Sequence, residues 1–348
     1  MAAAKTDLAD ATKALDINDD EQDFSDARDD DESAYSEATD ENKSECTSSV
    51  SSAEKWLLKH PQAYIYEDEY VTGDGEIDDE QEKPNLQNYY TNIPSRLFKL
   101  RGTNYLSEKE TNNKKLKVPS EKAAYSCVGL NVFQAGFNLA HAAEKVASLR
   151  KYLDDMEKLD EKQKDKNLKG DAPKYLILSW VFSNFFKTEY TAVVHVLRRN
   201  MPIDSNGNGE CPVLDRTLSR WLALPDEEKN LKLKYACILK EASSQLKGAI
   251  DMLGGERPVL IGKRLTTTYH KGENYLEVDM DVGSSNIASM LNGIIIKSSG
   301  SFVIDECFCI EAQEEDELPE RALCTIRWNR CSLEHCGFKL DEMGNIIQ

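Results

Sequence analysis

The sequence predicts an α+β fold: a mostly antiparallel twisted sheet with helices packed on one side, preceded by a disordered acidic tail. Three observations carry that expectation. Several runs rich in β-branched and aromatic residues read as strands, and Tyr275 to Val282 alternates strictly between polar and apolar. Leu139, Ala142, Val146, Leu149, Leu153 and Met156 recur at three and four spacing, the period of a helix with an apolar seam. Charge is unevenly placed. Residues 1–94 hold 26 acids against 7 bases, which is the whole net charge of −19, whereas residues 95–348 hold 36 of each.

Taken along the chain, residues 1–94 have few large apolar side chains to offset the entropy of ordering, and so are expected to be disordered. Ser51-Ser52-Ala53-Glu54 reads as a capping box ahead of Trp56-Leu57-Leu58, with Pro61 as the stop, and Gly73 to Glu82 as an acidic linker. A domain is expected over 95–335, followed by a short tail, 336–348. Within it Leu97 to Leu100 and Tyr125 to Gln134 read as strands, and the seam from Leu139 as a helix packed on its own sheet or on a partner helix. Tyr175 to Phe182 and Thr191 to Leu197 form a plausible hairpin of buried strands. Helices are expected at Arg216 to Leu224 and Ser244 to Leu253, with the strand Lys232 to Glu241 between them. Next comes a helix over Ser285 to Ile296, capped by Ser284 or Ser285, with Ile287, Met290, Leu291, Ile294 and Ile295 inward. Val303 to Gln313 and Leu323 to Leu333 complete the sheet. A two-residue turn at Gly272-Glu273 would pair His270 with Tyr275, Thr268 with Glu277, Thr266 with Asp279 and Arg264 with Asp281.

No secretory leader opens the sequence, and its longest apolar run, Tyr175 to Phe186, falls short of the roughly 20 residues a bilayer span needs. Nine cysteines without regular spacing fit a reducing compartment. A cytoplasmic protein without a transmembrane segment is expected.

Candidate sites each carry a plainer reading. Glu277, Asp279 and Asp281 share a strand face, fit for a hard cation or acid–base work, or simply solvated and paired across the strands with Arg264 and the threonines. Gly283-Ser284-Ser285 could hold a phosphate, yet Asp279 and Asp281 lie just upstream and favour a plain cap. Asp204 to Asp215 places Asp204, Asn206, Asn208 and Asp215 at calcium-loop positions 1, 3, 5 and 12, with Gly209 at 6. Cys211 and Pro212 are foreign to such a loop, and Asn-Gly turn chemistry explains the same letters. Cys307, Cys309, Cys324, Cys331, His335 and Cys336 show only one loose zinc-like pairing, and buried thiols explain them. Neither the histidines nor any glycine-rich fingerprint points to catalysis or to a cofactor, and no nucleic-acid partner is indicated. Arg96, Lys99, Arg101, Lys109, Lys114, Lys115 and Lys117 stand against only Glu108 and Glu110, a basic stretch fit for anionic lipid headgroups or a solvated loop.

Four segments, in order, resemble one family. They are FKLRGTNYLSEKE (Phe98 to Glu110), NMP (Asn200 to Pro202), LIGKRLTTTYHKGENYLEVDMDVGSS (Leu260 to Ser285) and VIDECFCIEAQEEDELPE (Val303 to Glu320). Together they resemble the C-terminal domain of the Enhanced Disease Resistance proteins, over about Pro94 to Leu333. The motif positions are Arg101, Gly102, Asn104, Tyr105, Gly262, Tyr269, Gly272, Asn274, Tyr275, Glu277, Asp279, Gly283, Ser284, Ser285, Glu317, Leu318, Pro319 and Glu320. The resemblance implies a regulatory, lipid-associated module peripheral to a membrane, because longer relatives carry it after pleckstrin-homology and START domains; it transfers no catalytic residue. The acidic region upstream here encodes neither lipid domain. The expected function is a non-enzymatic binding or regulatory module that meets anionic phospholipid or an apolar lipid. The alternatives are a protein-interaction scaffold using the acidic tail and the 139–159 helix, and a carboxylate-based metal protein or enzyme.

Overall fold

The computed structural model describes residues 64–65, 89–107, 116–164, 168–184, 186–204, 206–207, 209, 211–244, 246–248, 257–284 and 286–347. The expected disorder of the acidic tail and the helix after Ser51 lie outside the described residues, as do Lys109, Lys114, Lys115, Asn208 and Ser285. Of the expected helix Ser244 to Leu253, Ser244 and residues 246–248 are described and helical, and the rest lies outside the described residues.

The strands and helices follow in chain order: β1 (Tyr64–Ile65), β2 (Tyr89–Asn92), β3 (Lys99–Arg101), β4 (Lys117–Pro119), β5 (Tyr125–Ala135), α1 (Ala142–Lys145), α2 (Ala147–Gln163), β6 (Tyr175–Ser183), β7 (Tyr190–Arg199), α3 (Pro212–Ala223) and α4 (Asp226–Lys229). Then come β8 (Leu233–Glu241), β9 (Val259–Leu260), β10 (Thr266–Lys271), β11 (Tyr275–Asp281), α5 (Asn286–Ser298), β12 (Val303–Ile310), β13 (Ala322–Asn329) and β14 (Phe338–Lys339). The α+β class and the mostly antiparallel pairing hold. The strands divide between two sheets, one in the order β1-β2-β13-β12-β8-β9 and the other β10-β11-β6-β7-β5-β14, with β3 and β4 as a separate ribbon.

Alternation along the strands explains how these layers stack. Phe308, Ile304, Ile326 and Trp328 of the first sheet share one buried core with Leu176, Leu178, Val278, Met280 and Leu130 of the second. The opposite face of the second sheet, Tyr175, Ile177, Val194 and Val196, is covered by Leu139, Ala142, Val146, Leu149 and Leu153. The predicted seam therefore packs on its own sheet, where each fully buried side chain stabilises the fold by about 1.5–3 kcal/mol. The helix breaks at Val146, whose extended backbone separates α1 from α2, and the Ala147 N–H is bonded by the carbonyl of Gly344 at 3.1 Å. On the far side of the first sheet, Ala236, Cys307, Cys309 and Ala322 lie under Ile93, Phe98 and Leu100.

The folded body runs past both expected boundaries. Upstream of residue 95, β2 pairs antiparallel with β13, and in the expected tail Phe338 pairs beside Phe133 while Leu340 is buried. The β10–β11 register also departs from expectation. Thr266 faces Asp281, Thr268 faces Asp279 and His270 faces Glu277, two residues from the predicted pairs. The turn is centred on Glu273-Asn274, because the Gly272 N–H bonds the Tyr275 carbonyl at 3.0 Å and the Asn274 carbonyl accepts from Tyr175 N–H at 3.0 Å, fixing β11 against β6. Gly272 serves close approach: a Cβ there would stand 2.1 Å from the Tyr275 ring. Arg264 falls outside β10, so it cannot be the strand partner of Asp281.

Candidate functional site

The polar face of β11 is built from Tyr275, Glu277 and Asp279, and it is neither solvated nor paired with threonines alone. Because β11 lies between β10 and a parallel β6, with α1 above it, Glu277 and Asp279 are 0% and 2% exposed. Backbone amides reach down to them. Glu277 Oε1 accepts from Ala142 N–H at 2.7 Å and Oε2 from Ala143 N–H at 3.2 Å, and Asp279 Oδ2 accepts from His141 N–H at 2.7 Å. The two carboxylates thus occupy the amides that open α1. This is the usual satisfaction of a helix start by acidic side chains, reached here from a strand.

His141 holds the junction in a left-handed backbone conformation, φ 63° and ψ 52°, which is costly for a non-glycine residue and needs surrounding contacts to persist. Its ring stacks on His270, with centroids 4.2 Å apart and planes within 6°. Its Nδ1 lies 2.7 Å from Glu144 Oε2 and its Nε2 3.3 Å from the Tyr275 hydroxyl. His270 Nε2 stands 3.2 Å from Asp279 Oδ2. Burial lowers both imidazole pKa values, with Glu144 opposing at His141 and Asp279 opposing at His270. Burial also raises Glu277, reinforced by the charge of Asp279, and raises Asp279 itself against the pull of the His141 amide. Beside this cluster a half-open cleft of about 350 Å³ is lined by His141, Glu144, Arg150, Glu157, Tyr175 and Tyr275 among others. The cluster gathers titratable groups, yet both Glu277 oxygens already serve the backbone.

The fourth family segment, Val303 to Glu320, is also interior architecture. Glu320 is fully buried, accepting from Lys234 Nζ at 2.6 and 2.7 Å, Arg101 N–H at 3.1 Å and Ala312 N–H at 3.0 Å. Glu317 accepts from Lys232 Nζ at 2.9 and 3.0 Å and from Gln313 N–H at 2.8 Å. Leu318-Pro319 between them is a cis peptide. Arg101 completes the group by bonding the Ala312 carbonyl at 3.0 Å and pairing with Glu311 at 3.2 Å, while its guanidinium lies over the Tyr105 ring. Gly102 sits 3.1 Å, measured from an added Cβ, from the Leu116 carbonyl, and Gly262 presses on Asn230, which also accepts from the Tyr269 hydroxyl at 3.0 Å. Gly283 packs on Ser183, and Ser284 Oγ accepts from Thr266 N–H at 2.8 Å while donating to the Asp281 carbonyl. Asn104 lies in the turn after β3.

Of the predicted basic residues, Arg101 is committed to this interior network and cannot turn to a headgroup. Arg96 lies in the 3-10 turn Ser95–Leu97 ahead of the β3–β4 ribbon, Lys99 is exposed at the start of its first strand, and Lys117 is on its return strand. Leu116, beside Lys117, is 50% exposed.

Of the described calcium-loop donors, Asp204 lies beside Asp215 and Asn206, but the bonds they make are to the loop itself. Pro212 starts α3, so Asp215 sits in its first turn, buried, with Oδ2 accepting from Gly209 N–H at 3.1 Å. Asp204 instead accepts from the Asn206 backbone and side chain. Among the described residues, no group of three or more His, Cys, Asp or Glu is placed to hold a metal ion, and the cysteines described are free thiols. Nor is any helix among them long and apolar enough to cross a membrane.

What sequence reasoning missed is a buried polar group between the sheets. His195 is fully buried with Nδ1 3.2 Å from the Leu178 carbonyl, and Tyr235 donates to Glu306 at 2.8 Å. A glutamate on the core-facing side of an otherwise apolar strand, between Ile304 and Phe308, was the available signal.

The family model described as Protein ENHANCED DISEASE RESISTANCE 2, C-terminal, matches residues 90–332. A curated relative, the Protein ENHANCED DISEASE RESISTANCE 2-like of Arabidopsis thaliana, is 32% identical over 114 residues, covering 33% of this chain and 15% of the relative. The match thus spans a minor part of that relative's length. No solved structure matches significantly.

Proposed function

Because the chain belongs to the ENHANCED DISEASE RESISTANCE 2 C-terminal family through residues 90–332, we propose that it is a non-enzymatic regulatory module that associates with anionic phospholipid through the β3–β4 ribbon. One observation carries the reading. The ribbon is a sheet of its own that packs Leu100 inward on the first large sheet and sets an exposed Lys99 and a half-buried Lys117 beside the half-exposed Leu116. Its connecting segment adds Lys109, Lys114 and Lys115 in sequence. Near an anionic surface each such base contributes about 1 kcal/mol, and an apolar side chain among them suits the headgroup boundary. The non-enzymatic reading is supported by the use of Glu277 and Asp279 on backbone amides. Cytoplasmic location, peripheral to a membrane, goes with this proposal. The acidic residues upstream would compete with lipid for the same bases, or meet a basic protein partner.

The test is flotation of the full chain with vesicles of phosphatidylserine and phosphatidylcholine, against phosphatidylcholine alone. Binding is expected only with the anionic lipid, weakening as salt rises. It should drop at least tenfold in Lys99→Glu/Lys117→Glu. No flotation at low salt, or equal flotation of the double variant, overturns the proposal.

A further inference from the structure

Between the two large sheets lies a titratable trio that neither the ribbon nor the β11 cluster uses. His195 on β7 and Glu306 on β12 approach from opposite sheets, and Tyr235 on β8 stands on the same face as Glu306. Around them the wall is aromatic: Trp180 meets Tyr235 edge-on with centroids 5.2 Å apart, and Phe308 lies 5.1 Å from Tyr235. The hydrogen positions follow from the partners. A carbonyl only accepts, so His195 Nδ1 carries the hydrogen that bonds Leu178, and Nε2 is left as a lone pair. That Nε2 is buried with no hydrogen-bond partner and faces Glu306 Oε2 at 3.7 Å, beyond hydrogen-bond length. The Tyr235 hydroxyl occupies Oε1, leaving Oε2 as the oxygen turned towards the imidazole.

We propose that Glu306 and His195 form a proton-operated latch between the sheets. With a proton on Oε2 the carboxyl donates to Nε2 and the sheets close on each other; when solvent takes that proton, two lone-pair faces oppose one another and the contact opens. Other charged groups do not short-circuit the pair. Among the described residues no lysine or arginine pairs with Glu306. Asp305, its neighbour on β12, points to the other face, where Arg327 holds it at 2.6 and 2.9 Å and Lys240 stands 3.9 Å away. The remaining titratable neighbours are thiols, Cys127 on β5, Cys324 on β13 and Cys237 on β8. Burial keeps the Cys127 and Cys324 thiols protonated. Burial pushes Glu306 up to about 7, offset in part by the Tyr235 hydroxyl and reinforced by Asp305. Burial holds His195 down at about 4, so the imidazole stays neutral over the working range. Because the folded state keeps this proton above the ordinary glutamate value, the latch contributes fully below about pH 4.5 and is lost as pH rises through about 7.

Hydrogen exchange of the β7 and β12 amides, corrected for intrinsic rates, tests this on the full chain between pH 5 and 8. Glu306→Gln keeps an N–H donor towards Nε2 at every pH. Protection of the wild type relative to this variant is expected to fall by up to about tenfold per pH unit between 5 and 7. Tyr235→Phe, which removes the hydroxyl that favours the carboxylate, should move the midpoint upward. A measurement on the wild type alone keeps the test independent of variant folding: the His195 Nε2 resonance should shift with a near-neutral midpoint while the ring stays neutral. A His195 signal flat from pH 5 to 8, or a Glu306→Gln protein with the wild-type pH response, overturns the latch.

Discussion

Lys234 keeps its ammonium in the interior, 7% exposed at the side chain, where Glu320 takes it with both oxygens. Burial opposes that charge, but Cys309 and Glu320 outweigh it and hold Lys234 above its ordinary value. Removing one partner of such a pair strands the other, so Glu320→Ala should cost about 3–5 kcal/mol in urea unfolding. Adding Lys234→Met should recover much of that loss; a double variant no more stable than Glu320→Ala would show that Lys234 is not what Glu320 stabilises. The same network gives Arg101 a role that sequence alone does not show. Local charge places it among seven bases, but its partner Glu320 lies 219 residues along the chain, and no spacing rule reaches that far. The Glu317 and Glu320 motif was legible as letters, and its role became clear only with Lys232 and Lys234 beside it.

At the scale of elements, β11 holds α1 in place through three amide contacts, and the acceptor count decides what a substitution does. Glu277→Gln keeps an acceptor oxygen, so the Ala142 amide should remain protected from exchange, whereas Glu277→Leu leaves it without a partner and should expose it. The glutamine variant should also remove a pH response. Burial and Asp279 raise the folded Glu277 pKa, so its contribution is present below the ordinary value near 4.5 and is lost as pH rises above it. Comparing melting curves of wild type and Glu277→Gln across pH checks this; equal slopes would refute it. Strand parity was legible, since an offset of two residues keeps every side chain on its predicted face. Burial of the polar face was not. Alternation marks which residues share a side, but a neighbouring parallel strand drawn from residues 175–183 leaves no local mark.

At the scale of the folded body, the helix period, the β6–β7 hairpin and the α+β class were readable because each is a local pattern. The partition into two sheets was not, since it depends on which strands meet over long separations. The last residues illustrate the cost of that blindness: Phe338 and Leu340 complete the core beneath α1 and α2, and Gly344 lies so close to Lys145 that an added Cβ would stand 1.8 Å from its carbonyl. Deleting residues 336–348 should lower the melting temperature by about 10 °C, taking about 2 kcal/mol for each of the two buried side chains and about 2–4 °C per kcal/mol for a domain of this size. An unchanged melting temperature would mean that this segment is not part of the cooperative unit. The pairing of Tyr275 with Tyr175, and of Tyr89 with Asn329, has a consequence for biosynthesis. Neither sheet can close while its late strands are still inside the ribosome, so the nascent chain carries an unpaired edge of β6 until β11 is made and of β2 until β13 is made. A topology of such high contact order folds slowly and only near completion, when its exposed edges are most open to capture by chaperones or by another copy.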